Sequence, residues 1–208
     1  MTQETPRWLR IAREIQAIAQ TGLHFSETDY HRQRYRRLLD LAAEIVANKA
    51  EIDRERWVDN FSAQPGYATP KVDVRGAMVR DGRILLVRER TDGRWCLPGG
   101  WADVGESPSE MVVREVWEES GFRVRAVRLI GVYDANHDRV ELQFFHAYKL
   151  VFYCEIVGGD ARPSEETSAV EFFDRDRIPP LSLERTNPRH LAAIWSFLET
   201  PDAQTEFD

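Results

Sequence analysis

The sequence predicts an α/β fold, an α/β/α sandwich around a mixed sheet, preceded by a small all-helical N-terminal domain. Three observations predict it. Strand-like runs surround helical ones without strict strand–helix–strand alternation, which argues against a purely parallel sheet. Composition shifts at 61–70, FSAQPGYATP, where prolines and a glycine read as a linker. The segment between Ser107 and Gly121 pairs an apolar face with an acidic one, as suits a helix that lies on a sheet and borders a cleft.

Residues 6–20 carry Trp8, Leu9, Ile11, Ile15 and Ile18 at helical spacing, with Pro6 at the start and Gly22 at the stop. The connector GLHF follows, and Ser26-Glu27-Thr28-Asp29 reads as a second helix start. A long helix is expected from about Asp29 to Asn60, with Tyr35, Leu38, Leu39, Ala42, Ile45 and Val46 as its apolar stripe. Two such helices bury little alone, so they are expected to pack on the next domain or on another chain. The chain therefore divides into a helical domain at 1–60, a linker at 61–70 and an α/β domain at 71–208. The basic run from His31 to Arg37 reads as a solvated helix face paired with nearby acids, the alternative being contact with substrate phosphates or a partner chain.

Lys71 to Val79 alternates like a strand, Asp81-Gly82 marks a hairpin turn, and Arg83 to Arg90 forms the returning strand. Asp92-Gly93 turns the chain before Trp95-Cys96-Leu97 and the glycine-rich Pro98-Gly99-Gly100. A serine N-cap with Pro108 and Glu110 in the first turn starts the next helix, and Gly121 stops it. Further strands are expected near 123–133 and 140–157, then a turn at Gly158-Gly159-Asp160 and a short strand at Glu171-Phe172-Phe173. A closing helix runs from Pro188 to Leu198, with Leu191, Ile194, Trp195 and Leu198 inward.

With 208 residues the chain can hold one ample domain and a small one. Its 42% hydrophobic and 30% charged content fits a folded chain rather than a disordered one. A formal net charge of −7 argues against sequence-independent nucleic-acid binding, which needs a basic face. No apolar run approaches the roughly 18–20 residues of a membrane span, and MTQETPRWLR lacks the apolar core of a signal peptide. Cys96 and Cys154 are too few for a disulfide framework or a zinc site; buried free thiols and a cytoplasmic location are expected.

Chemistry concentrates in GWADVGESPSEMVVREVWEESGF, Gly100 to Phe122. Residues three and four apart share a helix face, so Glu115, Glu118 and Glu119 point the same way. Like charges repel, and the helix dipole makes carboxylates worse near a C-terminus. Folding does not favour that placement, whereas a hard divalent cation does. Val112, Val113 and Val116 form the apolar side.

Gly100, Glu106, Arg114-Glu115, Val116, Glu118-Glu119, Gly121 and Phe122 match every fixed position of the Nudix box, and the chain resembles a Nudix hydrolase. TPKVDVRGAMV, LPGGWADVGESPSE, GVYDANHD, YKLVFYCEIVGG, ET-x-x-V-x-FF and Pro179-Pro180-Leu181-Ser182 resemble a narrower bacterial group with a helical N-terminal domain. That domain is resembled by IAREIQAIAQTGLHFSETDYHRQRYRRL, with His31 where an aspartate is expected after Tyr30. The group hydrolyses nucleoside diphosphates linked to another moiety, including CDP-choline and ADP-ribose.

The resemblance implies Glu115, Glu118 and Glu119 as metal ligands, joined by the Gly99 or Gly100 carbonyl. Oxygen donors of this kind suit Mg²⁺, or Mn²⁺ as substitute, better than zinc. It implies that Arg114 pairs with a box glutamate, a phosphate contact being the lesser option. The general base is Glu118 or Glu115 on the helix, or Glu165 or Glu166 in the loop ARPSEETS. Arg75, Arg88 and Arg90 are candidates for substrate phosphates or for surface pairs. Trp95, Trp101, Tyr133 and Phe144 either stack a base or fill the core. His137 beside Asp138 reads as a turn rather than a metal site.

The expected activity is a Mg²⁺-dependent pyrophosphohydrolase that splits a nucleoside diphosphate–X compound, such as CDP-choline, ADP-ribose or a nucleotide sugar. Alternatives are hydrolysis of nucleoside triphosphates or RNA 5′ ends, and a non-catalytic ligand sensor. The sensor would show a degraded box and a DNA-binding segment, and neither is evident. The N-terminal helices are expected to form a homodimer contact that also helps shape the substrate pocket.

Overall fold

The computed structural model describes residues 6–50, 66–137, 146–200 and 202–208. The expected continuation of the second helix through 51–60, the first part of the linker, the start of the long strand and Phe144 lie outside the described residues. The chain forms two compact units, one with the N-terminal helices and one with the strands and the remaining helices.

In the first unit, α1 (Arg7–Phe25) packs on α2 (Asp29–Ala50). Leu9, Ala12, Ala19, Leu39, Ala42, Ala43 and Val46 are buried between them. The alanines keep the two backbones close. Gly22 does not stop α1 as expected but sits inside it, where a Cβ would lie 2.3 Å from the Tyr35 ring. Close approach of α2 is thus what the glycine serves. Ile11, Ile18 and Phe25, seven residues apart, leave 40, 56 and 67% exposed side chains along one line of α1. In the basic run Arg37 pairs with Glu44 at 3.3 Å, Arg32 donates to the Ser26 carbonyl, and Arg34 lies over Tyr30.

The second unit has a mixed sheet in the order β1 (Lys71–Ala77), β6 (Ala147–Gly159), β5 (Phe122–Asp134), β8 (Glu206–Phe207). β1 runs parallel to β6, β6 antiparallel to β5, and β5 parallel to β8. An antiparallel sheet is built around β3 (Arg83–Glu89), which pairs with β2 (Val79–Arg80), β4 (Trp95–Cys96) and β7 (Thr167–Asp174). The Asp81-Gly82 turn joins β2 to β3 as expected. The turn expected at Gly158-Gly159 comes later, since both residues still pair with β5.

Two helices cover this unit, α3 (Pro108–Ser120) and α4 (Pro188–Glu199). Side chains alternate along a strand, so neighbours serve opposite faces. Leu85 and Phe152 join Met111, Val112 and Val116 of α3, whereas Ile84, Leu86 and Val151 join Leu191, Ile194 and Trp195 of α4. Helix, sheet and helix form the expected sandwich. Cys96 and Cys154 are buried free thiols. No helix among the described residues is long and apolar enough to cross a membrane.

Candidate active site

The glycine-rich loop lies beside β1. Gly76 N–H donates to Pro98 O at 2.9 Å, Val74 N–H to Gly100 O at 2.9 Å, and Ala102 N–H to Val72 O at 2.8 Å. Gly99 has φ 140°, and a Cβ there would lie 2.0 Å from Val74 O, so no side chain fits. Thr186 Oγ1 accepts from Leu97 N–H at 2.9 Å and fixes the entry to the loop.

α3 starts with a capping box between Ser107 and Glu110, has Pro108 in its first turn, and ends at Gly121 in the left-handed region, φ 78°. Its apolar side presses so closely on β1 that a Cβ on Gly76 would lie 2.4 Å from Val116 Cγ2. The acidic side is thereby aimed at the glycine loop.

Glu119 is 6% exposed, and its Oε2 accepts from Gly99 N–H at 2.9 Å. Burial, opposed by the charge of Arg75 and the Gly99 N–H, pushes its carboxyl up to about 8. Glu115 is half-buried against the same loop: a Cβ on Gly100 would lie 2.8 Å from its Oε2. Burial raises the Glu115 carboxyl too, against the pull of Arg114. Glu118 is exposed and pairs with Arg114 Nη1 at 2.8 Å.

Arg114 gathers the remaining acids. Its Nε donates to Glu106 at 3.0 Å, its Nη1 lies 3.1 Å from Glu115, and its Nη2 donates to Asp103 at 3.1 Å. Glu118 and Glu115 are drawn towards Arg114 while Glu119 turns to Gly99. Among the described residues no three His, Cys, Asp or Glu side chains are gathered to hold an ion as they stand. The donor chemistry nonetheless fits a hard cation. Two desolvated carboxylates, Glu119 and Glu115, lie against the consecutive glycines Gly99 and Gly100, a set of oxygen donors.

The loop 161–168 is tied to the end of α3. Arg162 N–H donates to Ser120 O at 2.8 Å, and Thr167 Oγ1 donates to Glu119 O at 2.8 Å. Glu165 and Glu166 stand exposed on this loop. Arg90 reaches it by its backbone N–H to Glu166 O at 3.0 Å and by Nη2 to Ser164 O at 3.2 Å. Arg88, also exposed, donates to Gly93 O at 2.8 Å. Trp101 is half-exposed and bridges to Asp73, while Trp95 packs edge-on against Phe173.

Two expected substrate contacts sit differently. Tyr133 is only 2% exposed, with its ring against His190 and under Arg189, so it offers no face to a base. Arg75 is buried and clamps Asp73 through Nε at 2.8 Å and Nη2 at 2.7 Å. His137 closes a turn, its N–H donating to Asp134 O at 3.0 Å.

Asp73, Lys149, Thr167, Thr186 and His190 are buried polar residues near these elements that sequence reasoning passed over. A signal existed for Asp73. KVDVRGA places two opposite charges at i and i+2, hence on one face of an otherwise apolar strand.

Residues 69–194 match the model of the NUDIX domain, and residues 6–61 match that of Nudix_N, described as a UDP-X-like N-terminal oligomerisation domain. A Bacillus subtilis protein named "Putative ADP-ribose pyrophosphatase YjhB" is 43% identical over 208 residues, all of both chains. A solved UDP-X diphosphatase is 32% identical with a TM-score of 0.63, covering 97% of this chain and 98% of that one. A solved ADP-ribose pyrophosphatase from Streptococcus suis is 38% identical with a TM-score of 0.62, covering 67% of this chain and all of that one. The domain match spans the loop, the capped acidic helix and the sheets that position them; the chain belongs to the Nudix family and is a Nudix hydrolase.

Proposed function

We propose that the protein hydrolyses the diphosphate bridge of nucleoside diphosphate–X compounds, with ADP-ribose and UDP-linked sugars foremost and CDP-choline as a further candidate. The observation that carries this reading is the meeting of Glu115 and Glu119 with the Gly99-Gly100 loop. Similarity over the full chain to proteins named as ADP-ribose and UDP-X pyrophosphatases supports the substrate class.

Glu115, Glu118 and Glu119, with the Gly99 or Gly100 carbonyl, would hold Mg²⁺, or Mn²⁺ in its place. Such a cation, when bound, neutralises phosphoryl oxygens and acidifies a water. The chain's own part is to place the acids and take the proton. Arg114 holds Glu115 and Glu118 in position. Glu118 or Glu115 on the helix, or Glu165 or Glu166 on the tethered loop, accepts the proton of the attacking water. A new P–O bond forms to one phosphorus, the bridging P–O bond breaks, and X leaves as X-phosphate beside a nucleoside monophosphate. Arg90 and Arg88 are exposed and suited to phosphate oxygens, and Trp101 to the base.

Residues 1–60 are assigned to homodimerisation, 61–70 to a linker and 71–208 to catalysis. The apolar line Ile11–Ile18–Phe25 and the match to an oligomerisation domain support a second copy as the occupant. Buried free Cys96 and Cys154 support a reducing, cytoplasmic setting.

The test is a product assay with Mg²⁺ on ADP-ribose, UDP-glucose, CDP-choline and nucleoside triphosphates. Nucleoside monophosphate plus X-phosphate is expected. Monophosphate plus pyrophosphate from triphosphates alone would transfer the protein to the triphosphate class, and no turnover would favour the sensor.

A further inference from the structure

Three charged side chains are buried together on β1 and β6, beside the glycine-rich loop. Asp73, 3% exposed, receives Arg75 Nε on Oδ1 and Nη2 on Oδ2, and Lys149 Nζ donates to Oδ1 at 3.2 Å. Arg75 and Lys149 are each 4% exposed. Arg75 follows Asp73 by two residues on the same face of β1, and Lys149 is the β6 partner of Asp73 across the ladder. Burial pushes the Asp73 carboxyl upwards, but Arg75 and Lys149 outweigh it and hold it below its ordinary value. Taking such ions out of water is costly, and apolar residues of similar size would fill the space as well.

The placement makes sense beside Glu119. Arg75 Nη1 donates to Leu97 O at 3.2 Å, and Glu119 accepts from Gly99 N–H, two residues on. A Cβ on Gly99 would lie 2.9 Å from Arg75 Cα. Arg75 and Glu119 therefore dock on the same short stretch of backbone. A guanidinium docked on the same stretch of backbone as a buried carboxylate has a strong alternative, a two-pronged pair with both of its oxygens. That pair would cover the oxygens a divalent cation needs. Asp73 instead occupies Nε and Nη2, one of the two guanidinium edges that form such pairs, and with Leu97 O on Nη1 the other edge is engaged at both nitrogens.

We propose that Asp73 is a positioning residue that keeps Arg75 off Glu119, leaving the Glu119 carboxylate open to a divalent cation. Lys149 offsets the buried charge of Asp73. The inference rests on the cation reading above, and it adds an internal competitor that the fold must restrain.

The experiment measures Mn²⁺ binding to the full chain by electron paramagnetic resonance, without substrate, with folding checked by circular dichroism. Lys149→Met keeps the Asp73–Arg75 clamp and is expected to bind Mn²⁺ like the parent. Asp73→Asn with Lys149→Met leaves Arg75 facing Glu119 with charges balanced, and binding is expected to weaken roughly tenfold or more. Adding Arg75→Met removes the competitor and is expected to restore binding. A double variant that binds like the parent, or a triple variant that stays weak, would overturn the proposal. If the double variant does not fold, the triple variant decides alone: parental binding supports the proposal and lost binding overturns it. A parent chain that binds no Mn²⁺ would instead sink the cation reading, and this inference with it.

Discussion

Thr167 Oγ1 donates to the carbonyl oxygen of Glu119 at 2.8 Å, joining the first residue of β7 to the last turn of α3. The last carbonyls of a helix lack partners within it, and Thr167 supplies one for a residue of the candidate site. Thr167→Val keeps the shape but leaves that oxygen without its donor. The variant is expected to lose about 1–3 kcal/mol in urea unfolding. Because the same residue anchors the loop of Glu165 and Glu166, kcat is expected to fall more than KM rises. Unchanged kcat with the stability loss would place the general base on the helix.

Glu119 links activity to stability in opposite directions. Glu119→Gln and Glu118→Gln are each expected to abolish turnover in the product assay. The folded Glu119 carboxyl lies at about 8, against an ordinary 4.5, so its contribution is full below 4.5 and fades as pH climbs through 8. In chelator, Glu119→Gln is therefore expected to melt above the parent at about pH 9 but not at about pH 4. Thermal melts at the two pH values, with and without Mn²⁺, check this. A parent that is the more stable in chelator at alkaline pH would count against the burial cost assigned to this carboxylate.

His190 predicts an acid limb. It is buried in the first turn of α4, where its Nδ1 accepts from Asn187 N–H at 3.2 Å. Burial, aided by Lys149, pushes it down to about 3 from an ordinary 6.5. Its neutral form stabilises fully above 6.5, and that stability drains as pH falls from 6.5 towards 3, because the unfolded chain takes the proton first. Relative to neutral pH, at most about 2 kcal/mol is expected to be lost by about pH 5. His190→Gln keeps an acceptor and is expected to flatten that part of the urea-derived stability profile.

The line of Ile11, Ile18 and Phe25 makes the dimer testable. Ile18→Glu with Phe25→Glu places charges on an already exposed face, so each unit is expected to stay folded. Sedimentation is expected to change from dimer to monomer, as it should for a chain starting at Lys71. Persistence of the dimer in either would move the contact elsewhere.

Local signals made α3 legible from sequence. Its cap, its proline, its stop glycine and its acidic face all act within a few residues of one another. The hairpin at Asp81-Gly82 is legible for the same reason. Gly22 misleads because glycine marks both a helix stop and a close contact, and only the distant Tyr35 decides between them. Two-residue β8 has no periodicity to detect and exists only through pairing with Gly131 and Val132. Arg75 looks like a phosphate ligand because its type and strand are visible, whereas Lys149, across the ladder, is 74 residues away. Burial depends on such long-range partners. It decides which arginines face solvent, and it governs the behaviour of Glu119.

The pairing of β8 also bears on self-association. Glu206 and Phe207 occupy part of the outer rim of β5, with Asp208 accepting from Asp134 N–H at 2.7 Å and joined to Arg189. Trimming these residues would bare backbone donors and acceptors beside apolar Val132, a template onto which a neighbouring molecule can add a strand. Two residues thus shield this short piece of the rim from an incoming strand.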